Sequence, residues 1–234
     1  MNEYITIIDI LNKRNAKETL TEEEKNLLNA RNEAYTLFGE IFLNLRDAYL
    51  AEMVRYLLDR VPTSFFTRAA SSTGKYHPAS DLGNGGTVRH TYAVANILSK
   101  FLSLEHIRTQ LTVREQKLLM CAALLHDCLK YGWNDDSVKY TVAAHPMLAA
   151  EFVRKNADIY LSPEETEFVA SAIETHMGEW NTDKYDKSLL LKKPETLAQK
   201  LLHEADYIAA SKDIYTLFDD TVYLNNDTKT VVLS

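Results

Sequence analysis

Cysteine, proline and glycine are all scarce in this chain, with 2, 5 and 7 among 234 residues. Two cysteines cannot build a disulfide-stapled scaffold, and so few helix breakers leave the sequence free to be helical almost throughout. Cys121 and Cys128 fall two turns apart on one helical pattern, roughly 10 Å, which is beyond the reach of a disulfide. No apolar run approaches the roughly 18 residues that a membrane span needs. The opening MNEYITIIDILNKRNAKE has no basic leader followed by an apolar stretch, so no secretory signal is expected. An excess of positive charge is also missing. The net charge of −7 argues against a protein that coats long nucleic acid. A small phosphorylated substrate stays open, since it needs only a local cluster of cations. These absences point to a soluble cytoplasmic chain with no membrane partner.

What is present is ordinary for a globular protein: 46% hydrophobic and 25% charged residues, enough for a core without disulfides. Neither repeats nor low-complexity segments interrupt it. The length fits one domain with additions, read as an N-terminal helical extension over 1–61, a main domain over 62–215 and a C-terminal tail over 216–234.

The hydrophobic periodicity is overwhelmingly helical. Thr21 ahead of Glu22, Glu23 and Glu24 opens one or two amphipathic helices over 21–60, with Leu27, Leu28, Tyr35, Phe38, Ile41, Phe42, Leu45 and Tyr49 at helical spacing. This region is a packing element or a dimer face. Residues 62–87 have no period and read as a long loop of the kind that often carries function. Helices are then expected over about 87–102, 112–130 and 141–155. The next starts at the capping box of Ser162, Pro163 and Glu165, and a last one begins near Pro194. The segment LLMCAALLHDCLK is apolar nearly all round, as a central buried helix would be. A small β-hairpin is expected over 221–234, around Asn225, Asn226 and Asp227.

Four of the 7 histidines (His90, His126, His145 and His176) fall on the apolar faces of four different helices. One such histidine is usually a hydrogen-bonded core residue. Four in a chain this sparing with histidine call for a common partner, and a shared metal ion is one. Asp127 follows His126 at the end of the most apolar helix, where a carboxylate is costly unless paired or bound to a cation. Adjacent helical residues diverge by about 100°, so the Asp would lie between two cations while the His serves one of them. Asp206 offers a second inward carboxylate. Nitrogen and oxygen donors without thiolates suit one or two divalent ions of Mn, Fe, Ni, Co or Zn, with Mg also open.

The order His90, His126-Asp127, Asp206 resembles the signature of the HD superfamily of metal-dependent phosphohydrolases. The local words agree: GGTVRHT at 85–91, LLHDCLKYG at 124–132, AAHPMLAAEFV at 143–153 and ETHMGEW at 174–180. The last two resemble the extra His segments of the phosphodiesterase-like, two-metal members, and the likeness spans about 75–215. It implies an all-α helical bundle. His90, His126, Asp127 and Asp206 would hold a first metal, with His145 and His176 completing a second across Asp127. Thr-His-Met-Gly stands at 175–178 where cyclic-di-nucleotide phosphodiesterases carry a His pair, and no GYP triplet follows, so cleavage of cyclic di-GMP is not expected.

The reaction so implied is hydrolysis of a phosphoester of a nucleotide or short oligonucleotide by a water activated on the metal. Asp127 and Lys130 are the candidate catalytic groups, Lys130 either contacting phosphate or simply ending a helix. Arg89, Lys75 and His77 are candidate phosphate contacts. GKYHP is similar to a segment of HD-type exoribonucleases, but no stretch here is long enough for the OB-fold those enzymes carry. His203, one turn before Asp206, is a candidate support for the ligands. Trp133 and Trp180 follow ligand segments and would either stack on a base or pack at the rim. Two other readings share the same residues: an HD-type di-iron oxygenase, and a non-catalytic metal-stiffened regulatory module.

Overall fold

Five helices begin at a reciprocal cap in which a Ser or Thr hydroxyl accepts from the third helical amide and that residue's side chain reaches back. The pairs are Thr6/Asp9, Thr21/Glu24, Thr112/Glu115, Ser162/Glu165 and Thr196/Gln199. The computed structural model describes residues 4–75, 77–133, 139–182, 188 and 190–212. Among them the chain forms α1 Ile7–Asn15, α2 Glu22–Leu37, α3 Gly39–Leu45, α4 Ala48–Leu58, α5 Ser64–Thr67, α6 Gly86–Ser103, α7 Glu105–Arg108, α8 Val113–Leu125, α9 His145–Asn156, α10 Pro163–Glu174 and α11 Leu197–Ala210. The fold is all-α. No named strand occurs among the described residues, and one isolated antiparallel bridge joins Thr6 to Pro62. The expected hairpin at 221–234 lies outside the described residues. No described helix is long and apolar enough to cross a membrane.

Helix α8 is the axis of the molecule. Its residues Leu118 through Leu125 are all buried, and α4, α6, α10 and α11 pack around it. Cys121 and Cys128 are buried free thiols in this core, as expected. A single hydrophobic cluster runs from Ile7 and Ile10 in α1 through α4, α6 and α8 to Leu201, Leu202 and Ala205 in α11. The N-terminal helices therefore share the core of the rest. Asp59, after α4, ties them down by accepting from Arg31 Nε at 2.8 Å, Arg31 Nη2 at 2.7 Å and the Tyr35 hydroxyl at 2.7 Å. Arg154 joins α9 to α10 through Glu167 and Glu174.

Helix α1 falls within the helical extension expected over 1–61, ahead of the pattern that begins at Thr21. Two expectations need correction. The 62–87 segment is not all loop: it contains α5 and a 3₁₀ turn at Ala79–Asp81. It packs so tightly on the start of α6 that a Cβ on Gly86 would sit 2.1 Å from the Asp81 carbonyl oxygen. The helix expected over 112–130 ends at Leu125. Beyond it the chain tightens into three-residue turns, with Cys128, Lys130 and Gly132 amides donating to Leu125, Asp127 and Leu129.

Candidate metal centre

That tightening places the site. His126 and Asp127 stand where α8 gives way to tighter turns. His145 opens α9, and His176 follows the end of α10. His90 and Asp206 lie in the middle of helices, on α6 and α11, which pack together. All four imidazoles are buried, with side-chain exposure of 5% or less.

The backbone sets the orientation of three of these rings in the same way. Nδ1 of His126, His145 and His176 lies 2.7 Å from the carbonyl oxygen three residues earlier, on Ala123, Val142 and Ile173 respectively. A carbonyl only accepts, so each Nδ1 carries a proton, and Nε2 is the ring atom left to face a cation. These Nε2 atoms converge. His145 Nε2 is 3.2 Å from His176 Nε2, and His126 Nε2 is buried with no hydrogen-bond partner.

Asp127 lies between two groups of nitrogens. Its Oδ2 is 3.4 Å from His126 Nε2 and 3.6 Å from His90 Nε2, while its Oδ1 is 3.0 Å from His145 Nε2 and 3.8 Å from His176 Nε2. Asp206 Oδ1 joins the first group, 2.8 Å from His90 Nε2 and 3.7 Å from His126 Nε2. In each of the triplets His90–His126–Asp127 and Asp127–His145–His176 the donor atoms lie within 4.8 Å of one another. Buried acceptors facing each other without protons are unfavourable unless a cation lies among them. The donor set of imidazole and carboxylate suits a divalent transition ion.

Electrostatics agree with a cation-ready site. Burial opposes ionisation of Asp127, yet Lys130 and His126 hold its carboxyl well below the usual range. Asp206 is likewise held down against burial by His90. Burial and the neighbouring His126 push His176 down to about 3, so it stays a neutral donor. His90 behaves oppositely: burial disfavours its charge, but Asp206 and Asp81 outweigh that and raise it to about 9. Lys130 pairs directly with Asp127 Oδ2, and against the cost of burial that carboxylate raises its pKa and keeps it charged.

Asp81 is a residue that sequence reasoning missed. Its carboxylate is buried, 3.3 Å from His90 Nδ1 and 3.2 Å from His77 Nδ1, and these contacts hold it at about 2 despite burial. It steadies His90 from behind, as carboxylates commonly do for metal-binding imidazoles. His77, Asp81 and His90 also have donor atoms within 4.8 Å of one another. With His90 Nε2 turned to Asp206, this triplet is the outer support of His90.

Arg89, expected to reach a phosphate, does something else. Its Nη1 and Nη2 donate to the carbonyls of Asn84 and Leu82 at 2.9 and 2.8 Å, and its Nε to that of Ser80. It clamps the loop that carries Asp81. Lys75 is exposed on the same loop. His203 supports a ligand segment: its Nδ1 donates to the His176 carbonyl at 2.8 Å. Gly178, at φ +58°, permits this, since a Cβ there would fall 2.1 Å from the His203 ring. Trp133 packs between Tyr4 and Phe152, whereas Trp180 is half exposed.

The family model of the HD domain matches residues 87–211, just over half of the chain. The chain belongs to the HD domain family. Its members are broadly metal-dependent hydrolases, and this HD domain carries His/Asp groups able to hold a divalent metal. No curated protein and no solved structure matches the chain.

Proposed function

We propose that this HD domain hydrolyses a phosphoester bond of a nucleotide or short oligonucleotide, using two divalent transition-metal ions that share Asp127. The observation that carries the reading is the division of Asp127 between two sets of buried imidazole nitrogens, His90 and His126 on one oxygen, His145 and His176 on the other. His90, His126, Asp127 and Asp206 would hold one ion, and Asp127, His145 and His176 the second. When bound, such ions supply positive charge to phosphoryl oxygens and lower the pKa of a coordinated water.

The chain's own residues supply the rest. Carbonyls at Ala123, Val142 and Ile173 engage Nδ1 of three rings and so turn Nε2 toward the position of a cation. Lys130, 11% exposed at its side chain and paired with Asp127, fixes that carboxylate and would supply positive charge to a phosphate oxygen. Lys75 and His77 on the neighbouring loop are further candidate contacts for phosphate. The net charge of −7 favours a small substrate over a long polyanion.

The test is a panel of nucleoside monophosphates, dinucleotides and cyclic nucleotides offered to protein loaded in turn with Mn, Fe, Co, Ni and Zn. Release of phosphate or nucleoside that vanishes in Asp127→Ala is the expected result. No release anywhere on the panel defeats the reading, and oxygen consumption by iron-loaded protein would assign the chain to oxygenase chemistry instead.

A further inference from the structure

The rings of Trp180 and Tyr207 stack on each other 5.5 Å apart and 19° from parallel, the one near-parallel aromatic pair among the described residues. Each is about half exposed, 51% and 52%. Single exposed apolar side chains are normal on a protein surface. Two large rings held nearly parallel and each about half exposed are a different feature. Tyr49, comparably exposed, meets Tyr160 at a tilted 54° and has its hydroxyl bound to the Ile159 carbonyl.

The pair is attached to the metal centre at both ends. Tyr207 follows Asp206 on α11. Trp180 follows the turn that carries His176, its amide donating to the Met177 carbonyl at 3.1 Å. Between them His203 meets the Trp180 ring edge-on at 6.1 Å and binds the His176 carbonyl. Asp206 is also the most exposed ligand, 16% at its side chain against 0–5% for His90, His126, Asp127, His145 and His176. Asp206, the chain neighbour of Tyr207, is thus the ligand most open to solvent.

We propose that Trp180 and Tyr207 form a stacking platform for the base of a nucleotide whose phosphate lies at the metal centre. This rests on the phosphoester reading of that site and adds the recognition of an aromatic base to it. Flat rings accept any base through its π-face, so the platform selects nucleotides over base-free sugar phosphates without dictating sequence. The charged residue beside it, Glu179, is exposed and 3.5 Å from His203 Nε2, on the platform's flank.

The test titrates metal-loaded protein with two non-hydrolysable phosphonates, one isosteric with adenosine 5′-monophosphate and one with ribose 5-phosphate. Trp133→Phe leaves Trp180 as the only tryptophan, so its fluorescence reports the platform alone while calorimetry gives both affinities. The adenosine compound should bind about 10-fold or more tightly than the ribose compound and quench Trp180. In the Trp180→Ala/Tyr207→Ala double variant the two affinities should come within about twofold, and Trp180→Phe should keep most of the preference. Equal binding of the two compounds by the parent, or a preference that survives the double variant, overturns the platform alone. Failure of both compounds to bind overturns the phosphoester reading with it. If the double variant breaks a dimer while leaving the preference unchanged, the rings serve self-association and the proposal is wrong.

Discussion

His145 and His176 face each other Nε2 to Nε2 at 3.2 Å, each with its Nδ1 proton held by a backbone carbonyl 2.7 Å away. With both Nδ1 atoms committed to carbonyls, the two Nε2 atoms are the ones left to share a cation. His145 belongs to the triplet with Asp127 and not to that of His90 and His126. Dialysed, metal-loaded parent should therefore carry two ions per chain, His145→Ala one and Asp127→Ala none. Elemental analysis of the three proteins decides it. Equal metal loss in His145→Ala and Asp127→Ala would argue against separable positions.

Asp81 lies behind His90 at 3.3 Å and beside His77 at 3.2 Å. Replacing it with Asn removes the negative charge while keeping the side chain's shape. Metal affinity should fall about 10- to 100-fold, the usual effect of losing such a support, while the fold persists. Competition against a chromophoric chelator measures this, and an unchanged affinity would assign Asp81 to loop structure only.

The pH dependence of metal uptake follows from His90. Without a cation its pKa stands at about 9, so at pH 7 it carries a proton on the ring that must bind metal. His176, at about 3, is already neutral there and Asp81, at about 2, is already a carboxylate. Uptake at pH 7 should release a proton from His90, and affinity should climb by about tenfold per pH unit up to pH 9, then level off. Calorimetry in buffers of different ionisation enthalpy counts the proton. Uptake that is flat over pH 7–9 would mean that His90 is not a ligand.

How far the sequence carried this site depended on periodicity. His90, His126, His145 and His176 were legible because each falls where a 3.6-residue pattern turns inward, and Ser162, Pro163 and Glu165 marked the start of α10 directly. Asp81 was not legible, since it sits in a stretch without a period, where an aspartate is ordinarily a solvated turn residue. Its burial depends on Gly86 letting two backbones close to within contact, a tertiary event. The same holds for Gly178 and His203, 25 positions apart, which meet only because α11 folds back over the end of α10. The sharpest local error was to run α8 on to 130. An apolar pattern cannot distinguish a continued α-helix from the tighter turns after Leu125 that carry His126 and Asp127.

Arg89 separates a structural from a substrate role in one substitution. Its guanidinium donates to three loop carbonyls, those of Ser80, Leu82 and Asn84, and the residue is 8% exposed. A lysine in its place keeps the charge but offers a single ammonium in place of the planar fork, so at least one buried carbonyl loses its donor. An unsatisfied buried group costs about 1–3 kcal/mol, which should appear as a lower denaturation midpoint for Arg89→Lys. The loop would then hold Asp81 less firmly, and metal affinity should fall in parallel. If Arg89 instead served the substrate, Arg89→Lys would keep the parent's stability and metal affinity and lose only substrate binding. Chemical denaturation with and without metal distinguishes the two outcomes before any substrate is known.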